Sequence, residues 1–231
     1  LPSWLTFSAP ATISGTPLNG HVGSNTVVLT VTDGIISTPI EQSFTITVDN
    51  VNDAPVFTNT ASTTAAEDAV YSYTIAGSDV DVGDALAFAA PTLPSWLIFS
   101  TPSTISGTPA QDDIGTHSVV LTVSDTYVIV NQSFTITVVN TNDAPIFTST
   151  ASTISATENV AYSYTATASD EEGDALTFAA TTLPSWLTFS APATISGTPD
   201  QDDIGTHSVV LTVSDPYVTV NQSFAITVAN I

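Results

Sequence analysis

Leu93-Pro94-Ser95-Trp96-Leu97, followed by Ile105-Ser106-Gly107-Thr108-Pro109 and Val119-Val120-Leu121-Thr122-Val123-Ser124-Asp125, is written again as Leu183 to Asp215 and, more loosely, from Leu1 to Asp33. Between residues 93–125 and 183–215 only four of 33 positions differ. Each stretch opens on a Pro-Ser-Trp turn and closes on a run in which Val119, Leu121 and Val123 fall on one side. That period of two is the signature of a half-buried β-strand. Working outward, Tyr71, Tyr73 and Ile75 alternate in the same way, as do Phe134, Ile136 and Val138. Gly, Pro, Asp and Ser punctuate these short runs every 8 to 12 residues, and no helical stripe interrupts them.

A repeat of 90 to 92 residues is the length of one β-sandwich domain. The expected fold is therefore all-β: tandem Ig-like or cadherin-like antiparallel sandwiches in an elongated array. Residues 52–141 and 142–231 are expected to be two repeats that align without gaps. Residues 1–51 align with the second half of a repeat, with a two-residue insertion between Asp33 and Phe44. The strands preceding that half are expected either upstream in a longer polypeptide or from a neighbouring molecule, since an open sheet edge is a template for another strand.

Composition narrows the function. Hydrophobic residues make up 42% of the 231, enough to pack cores. The 22 carboxylates have no Lys or Arg partner, giving a formal charge of −22. Nucleic acid is not expected as a partner and anionic lipid is disfavoured, because phosphate contacts need basic side chains. Clustered carboxylates must be dispersed, protonated or neutralised from outside, and divalent cations are the obvious source. With no Cys, neither disulfides nor a thiolate nucleophile enters. The chain opens without Met and without the charged and apolar regions of a signal peptide, as expected of an internal piece of a longer protein. No apolar run approaches the ~20 residues that span a bilayer.

Four oxygen-rich clusters recur. They are Glu67 and Glu158; the loop with Asp79, Asp81 and Asp84, rewritten as Asp170, Glu172 and Asp174; Asp112-Asp113 and Asp202-Asp203; and the linker Asp49-Asn50-Val51-Asn52-Asp53, rewritten as Asn140-Thr141-Asn142-Asp143. Asp125, Asp215 and Asp33 end their strands. Calcium takes six to eight oxygens at flexible geometry. Alternate carboxylates such as Asp79 and Asp81 can turn to one ion, with Gly83 letting the backbone bend. Zinc or copper would call for His or Cys, which no cluster contains.

The linker Asp49 to Pro55, the Asp79-x-Asp81 loop, Val123-Ser124-Asp125 and Glu67 resemble the calcium motifs of cadherin repeats. The segment from Leu93 through Gly107 and Gly115 to Asp125 is similar to cadherin-like repeats of the dystroglycan type, found in large bacterial and archaeal surface proteins. The resemblance implies calcium between consecutive domains. Its first junction would use Asp49, Asn52, Asp53, Asp79, Asp81 and Asp125. The second would use Glu67, Asp112, Asp113, Asn142, Asp143, Asp170, Glu172 and Asp215. Four positions depart from the pattern: Gly20 and His21 stand where the next repeat has Asp112 and Asp113, Asn140 replaces the first linker acid, and Glu172 replaces an Asp. Fewer ions per junction than in animal cadherins are expected.

The expected role is a non-catalytic, extracellular structural or adhesive segment, stiffened by calcium, whose partners are neighbouring repeats, identical chains in a fibre, or cell-surface glycans and proteins. The alternative is a carbohydrate-binding adhesin module using Trp4, Trp96 and Trp186, although the Leu, Ile and Phe around them favour a core position. His117 and Ser118 are adjacent on a strand and so face opposite ways, which removes a Ser-His-Asp reading with Asp125. The histidines are expected at the surface or at loop edges. The glycines of Ile-Ser-Gly-Thr-Pro are expected at turns with positive φ. Asn131-Gln132-Ser133 and Asn221-Gln222-Ser223 are glycosylation sequons.

Overall fold

The computed structural model describes residues 1–35, 38–151 and 154–231. Among them the regular structure is β-strand, apart from three short 3-10 turns at Asn19–His21, Gln111–Asp113 and Gln201–Asp203. The chain divides into two compact units, Leu1–Val139 and Asn140–Ile231.

The first unit opens with β1 (Leu5–Ser8), β2 (Thr12–Gly15), β3 (Gly23–Val31) and β4 (Ile40–Val48). They form two separate antiparallel pairs, β1 with β2 and β3 with β4. A complete sandwich follows: β5 (Val56–Phe57), β6 (Thr64–Ala66), β7 (Tyr71–Thr74), β8 (Gly77–Ser78), β9 (Ala87–Thr92), β10 (Ile98–Ser100), β11 (Thr104–Gly107), β12 (Gly115–Ser124) and β13 (Ile129–Val139). One sheet has the order β10-β11-β7, the other β6-β13-β12-β9, and β5 pairs with β8. All pairings are antiparallel except β6 beside β13. The inward faces meet as the alternation predicts. Tyr71, Tyr73, Ile75, Leu97 and Ile105 from one side pack with Val119, Leu121, Ile136 and Val138 from the other.

The second unit repeats this with β14 (Ile146–Phe147), β15 (Ser155–Thr157), β16 (Tyr162–Thr165), β17 (Ala168–Ser169), β18 (Thr177–Thr182), β19 (Leu187–Ser190), β20 (Thr194–Gly197), β21 (Gly205–Ser214) and β22 (Thr219–Ala229). Its sheets run β16-β20-β19 and β15-β22-β21-β18. The two repeats are not in gapless register. Tyr71 and Tyr162 lie 91 residues apart, whereas Gly83 and Gly173 lie 90 apart, so the second repeat gains a residue before its Tyr-Ser-Tyr-Thr strand and loses one in the acidic loop.

The glycine of Ile-Ser-Gly-Thr-Pro has a different cause from the expected one. Gly15, Gly107 and Gly197 end strands and lack positive φ. A Cβ on Gly107 would lie 1.8 Å from the carbonyl oxygen of Trp96, and Gly15 and Gly197 meet Trp4 and Trp186 in the same way. Close backbone approach, not turn geometry, demands glycine there. Trp96 is buried and packs edge-on against Tyr71 and His117, with ring centroids 5.9 Å away in each case. Trp186 stands between Tyr162 and His207 in the same arrangement. His117 and His207 are half-buried rather than surface residues, each with Nε2 2.6 Å from the carbonyl oxygen of Asp113 or Asp203. They pack against the tryptophan rings; Trp96 is buried away from any sugar, while Trp4 and Trp186 are half-buried.

Candidate metal centre

The acidic loop of the first unit runs from β8 to β9. Gly83, at φ +104°, reverses the chain between Asp81 and Asp84. This bend separates the two roles of the loop. Asp79 and Asp84 come together with Asp125, from the end of β12, so that one carboxylate oxygen of each lies within 4.8 Å of the others. Asp81 instead turns to the linker, where its carboxylate accepts from the main-chain N–H of Asp53 at 2.7 Å and from the side-chain amide of Asn19 at 3.2 Å. The same Asn19 amide donates to the Asp53 carboxylate at 2.7 Å.

Asn52 completes the group. Its amide nitrogen donates to Asp125 Oδ2 at 3.0 Å and to the carbonyl of Asp53 at 2.9 Å. Its Oδ1 is buried without a donor, and so is Oδ2 of Asp79, whose other oxygen accepts from the N–H of Asp81. A buried acceptor without a donor is costly unless a cation meets it. Since the chain contains no Lys or Arg, no side chain of that kind can serve. Three carboxylates and an amide carbonyl form an all-oxygen set, the donor chemistry that calcium selects. The residues present therefore fit a calcium ion.

The electrostatics differ sharply within the cluster. Desolvation, reinforced by the charges of Asp79, Asp81 and Asp125, raises the pKa of Asp84. Desolvation pushes Asp125 in the same direction, but the N–H groups of Val128 and Tyr127 and the Asn52 amide outweigh it and lower its pKa. Asp125 is thus a carboxylate held charged by its hairpin turn, while Asp84 carries the repulsion.

The second unit keeps the linker hydrogen bonds with changed residues. Asn142 donates to Asp215 Oδ2 at 3.0 Å, and the N–H of Asp143 donates to Glu172 at 2.9 Å. The loop is one residue shorter, and the longer Glu172 side chain spans the gap that Asp81 closes in the first unit. Oδ2 of Asp170 and Oε2 of Glu172 are buried acceptors without donors. Desolvation and the charges of Asp170, Glu172 and Asp215 raise the pKa of Asp174, and Asp215 is lowered by Val218, Asn142 and Tyr217 against its own desolvation.

The Asp79, Asp84 and Asp125 group does not include the other expected ligands of the first unit. Asp49 is exposed just beyond β4. Glu67 is buried directly after β6, with its N–H on the carbonyl of Val139. Asp112 and Asp113 form the second half of a 3-10 turn, and the Asp113 carboxylate accepts from the N–H of Ala110 at 3.1 Å. Asp84 and Asp174 were legible as loop acids without being assigned as ligands, and Asn19 gave no signal because the acids of that turn are sought at the next two positions, Gly20 and His21. The spacing Gly-Asp after the Asp79-x-Asp81 pair could have identified Asp84, since the bend at Gly83 returns the next side chain to the first.

A family model described as "Putative Ig domain" (He_PIG) matches residues 1–49, 54–139 and 144–229. No curated protein matches the chain significantly. Among solved structures, an endo-fucoidan hydrolase of glycoside hydrolase family 107 is 27% identical over 100% of this chain, with a TM-score of 0.36, and the chain spans 38% of its length. The first two extracellular domains of human protocadherin-24 are 19% identical over 78% of this chain and 100% of theirs, with a TM-score of 0.48. Immunoglobulin domains 1–5 of Sidekick-1 are 16% identical over 100% of this chain and 50% of theirs, with a TM-score of 0.36.

Proposed function

The chain belongs to the He_PIG family of immunoglobulin-like domains, and we propose that its repeats form a calcium-stiffened, non-catalytic stalk or filament segment of an extracellular surface protein. In this reading residues 1–51 are the C-terminal half of a cadherin-like repeat of the dystroglycan type, and residues 52–141 and 142–231 are complete repeats of that type. The observation that carries it is the convergence of Asp79, Asp84 and Asp125 beside the donor-less Oδ1 of Asn52, where linker and loop meet. Asp79, Asp84, Asp125 and Asn52 would hold the ion at the first junction, with Asp53 and Asp81 beside it. Asp170, Asp174, Asp215 and Asn142 are their counterparts in the second unit. When bound, calcium supplies the positive charge that cancels the mutual repulsion of these carboxylates.

Stiffening follows from linkage. An ion that binds the ordered linker better than the mobile one shifts the population toward order. Asn52 lies in the linker itself, while Asp79 and Asp125 belong to the sandwich beyond it, so a shared ion ties the two together. No helix among the described residues is long and apolar enough to cross a membrane, and a surface location is part of the proposal. A family built of immunoglobulin-like repeats fits a structural or adhesive role rather than catalysis. Small-angle scattering with calcium and with chelator tests it: the distribution of interdomain distances should broaden on chelation, and superimposable curves would refute the reading.

A further inference from the structure

The 3-10 turns Asn19–His21 and Gln111–Asp113 stand at equivalent places in successive repeats, but the second carries two carboxylates and the first carries none. His21 keeps the structural work of the acid it stands for. The Asp113 carboxylate accepts from the N–H of Ala110 at 3.1 Å, and His21 Nδ1 accepts from the N–H of Leu18 at 2.9 Å, so both turns are closed in the same way. Gly20 has no steric cause. A Cβ there would meet nothing within 4 Å, and its φ lies outside the left-handed region. What glycine removes, relative to Asp112, is a negative charge.

The surroundings of the turn make that charge costly. Asn19 and Gly20 line a cleft with Asn50, Asp81 and Val82. The Asn19 amide donates to Asp53 Oδ2 at 2.7 Å and to Asp81 Oδ1 at 3.2 Å. Both neighbours are carboxylate oxygens, so only the NH2 end of the amide can face them, and its two hydrogens suffice for the pair. The three groups come from the turn, the linker and the acidic loop of the following repeat. A carboxylate in place of the amide, or beside it at position 20, would crowd a third negative charge against two.

We propose that Asn19 is a neutral clasp that closes the joint between residues 1–49 and 54–139 without any ion, and that Gly20 keeps the turn free of the charge that would force it open. Hydrogen bonds to ionised acceptors are the strong ones, and here a single side chain makes two of them across the joint. The clasp is independent of the calcium reading. It uses Asp53 Oδ2 and Asp81 Oδ1, whereas the donor-less acceptors of the metal centre are Asn52 Oδ1 and Asp79 Oδ2.

The chain contains no Cys, so spin labels at Thr45→Cys and Thr135→Cys, two exposed strand positions on either side of the joint, report on it alone. Pulsed electron paramagnetic resonance of the full chain in chelator should give a narrow distance distribution. Asn19→Ala should broaden it, and Asp53→Ala, which leaves the Asp53 N–H in place, should do the same. The two changes together should broaden it no further than either alone, because they break one clasp. Gly20→Asp should broaden the distribution at low ionic strength and recover the narrow form in high salt, whereas Asn19→Ala should stay broad in both. A merely distorted turn would not respond to salt in this way. A parent distribution that is broad in chelator and narrows only on adding calcium would overturn the proposal, since the ion would then be what closes the joint. Parent-like distributions in both Asn19→Ala and Gly20→Asp would overturn it as well. Calcium binding that fails while the narrow distribution persists in chelator would refute the calcium reading and leave the clasp standing.

Discussion

The main-chain N–H of Asp53 donates to the buried carboxylate of Asp81 at 2.7 Å, fastening the linker to the acidic loop of the repeat it introduces. The second unit keeps the bond with Asp143 and Glu172 at 2.9 Å although its loop has lost a residue. A hydrogen bond that survives a deletion through a longer side chain marks the linker position as what the loop is built to hold. Replacing Asp81 with Ala should remove this latch, at a cost of about 1–3 kcal/mol for a charge-assisted bond. The exchange rate of the Asp53 amide should rise in chelator and in calcium alike.

Asp84→Asn should act in opposite directions under two conditions. Without calcium it removes a carboxylate that its neighbours repel, so the melting temperature should rise in chelator. In calcium it removes a ligand, so the increase in melting temperature on adding the ion should shrink. Differential scanning calorimetry of the variant in both buffers checks the crossing; a loss of stability in both would count against a shared site.

The pH profile in chelator has two components of opposite sign. Asp84 and Asp174 have raised pKa values, so their contribution to stability is present in acid and is lost as pH climbs through those raised values. Asp125 and Asp215 have lowered values, so their contribution is full above the ordinary Asp pKa of ~3.9 and is lost as pH falls through the lowered values. The Asp84→Asn, Asp174→Asn double variant should therefore lose the decline in stability above ~4 and retain the acid limb. Thermal melts across pH 3 to 7, a span chosen around the ordinary value of ~3.9, would show it.

Gly107→Ala tests the packing of the repeat apart from any metal. The new methyl would fall 1.8 Å from the Trp96 carbonyl oxygen, so β11 or the Pro-Ser-Trp turn must move. A destabilisation of about 1–3 kcal/mol or more is expected in the first unit, with the calcium response unaltered. Chemical denaturation followed by Trp fluorescence measures it.

Most of the fold was legible because its signal is local and repeated. Alternation at Tyr71-Tyr73-Ile75 and at Val119-Leu121-Val123 gives the buried faces directly, and 90-residue copies of the same strands leave one architecture open. What the sequence concealed lies in close approaches across the chain. Gly107 reads as a turn glycine until the Trp96 carbonyl is seen against it. His117 reads as a surface strand residue until its ring is found on Trp96. Within the candidate site, the linker and the strand-end acids were legible from spacing. The exchange of Asp81 for Asp84 was not, because a positive φ at Gly83 decides which carboxylate turns inward. Asn19 was invisible for another reason: an amide donor can bridge two carboxylates where a motif search expects a third.

The central claim is that the Asp79, Asp84 and Asp125 cluster binds calcium, and calorimetric titration of calcium into the chelator-treated full chain tests it most directly. The account predicts saturable binding that the Asp84→Asn, Asp174→Asn double variant weakens by at least roughly tenfold, the scale of losing one charged ligand. Absence of binding heat across temperatures, or an isotherm that the double variant leaves unchanged, would contradict it.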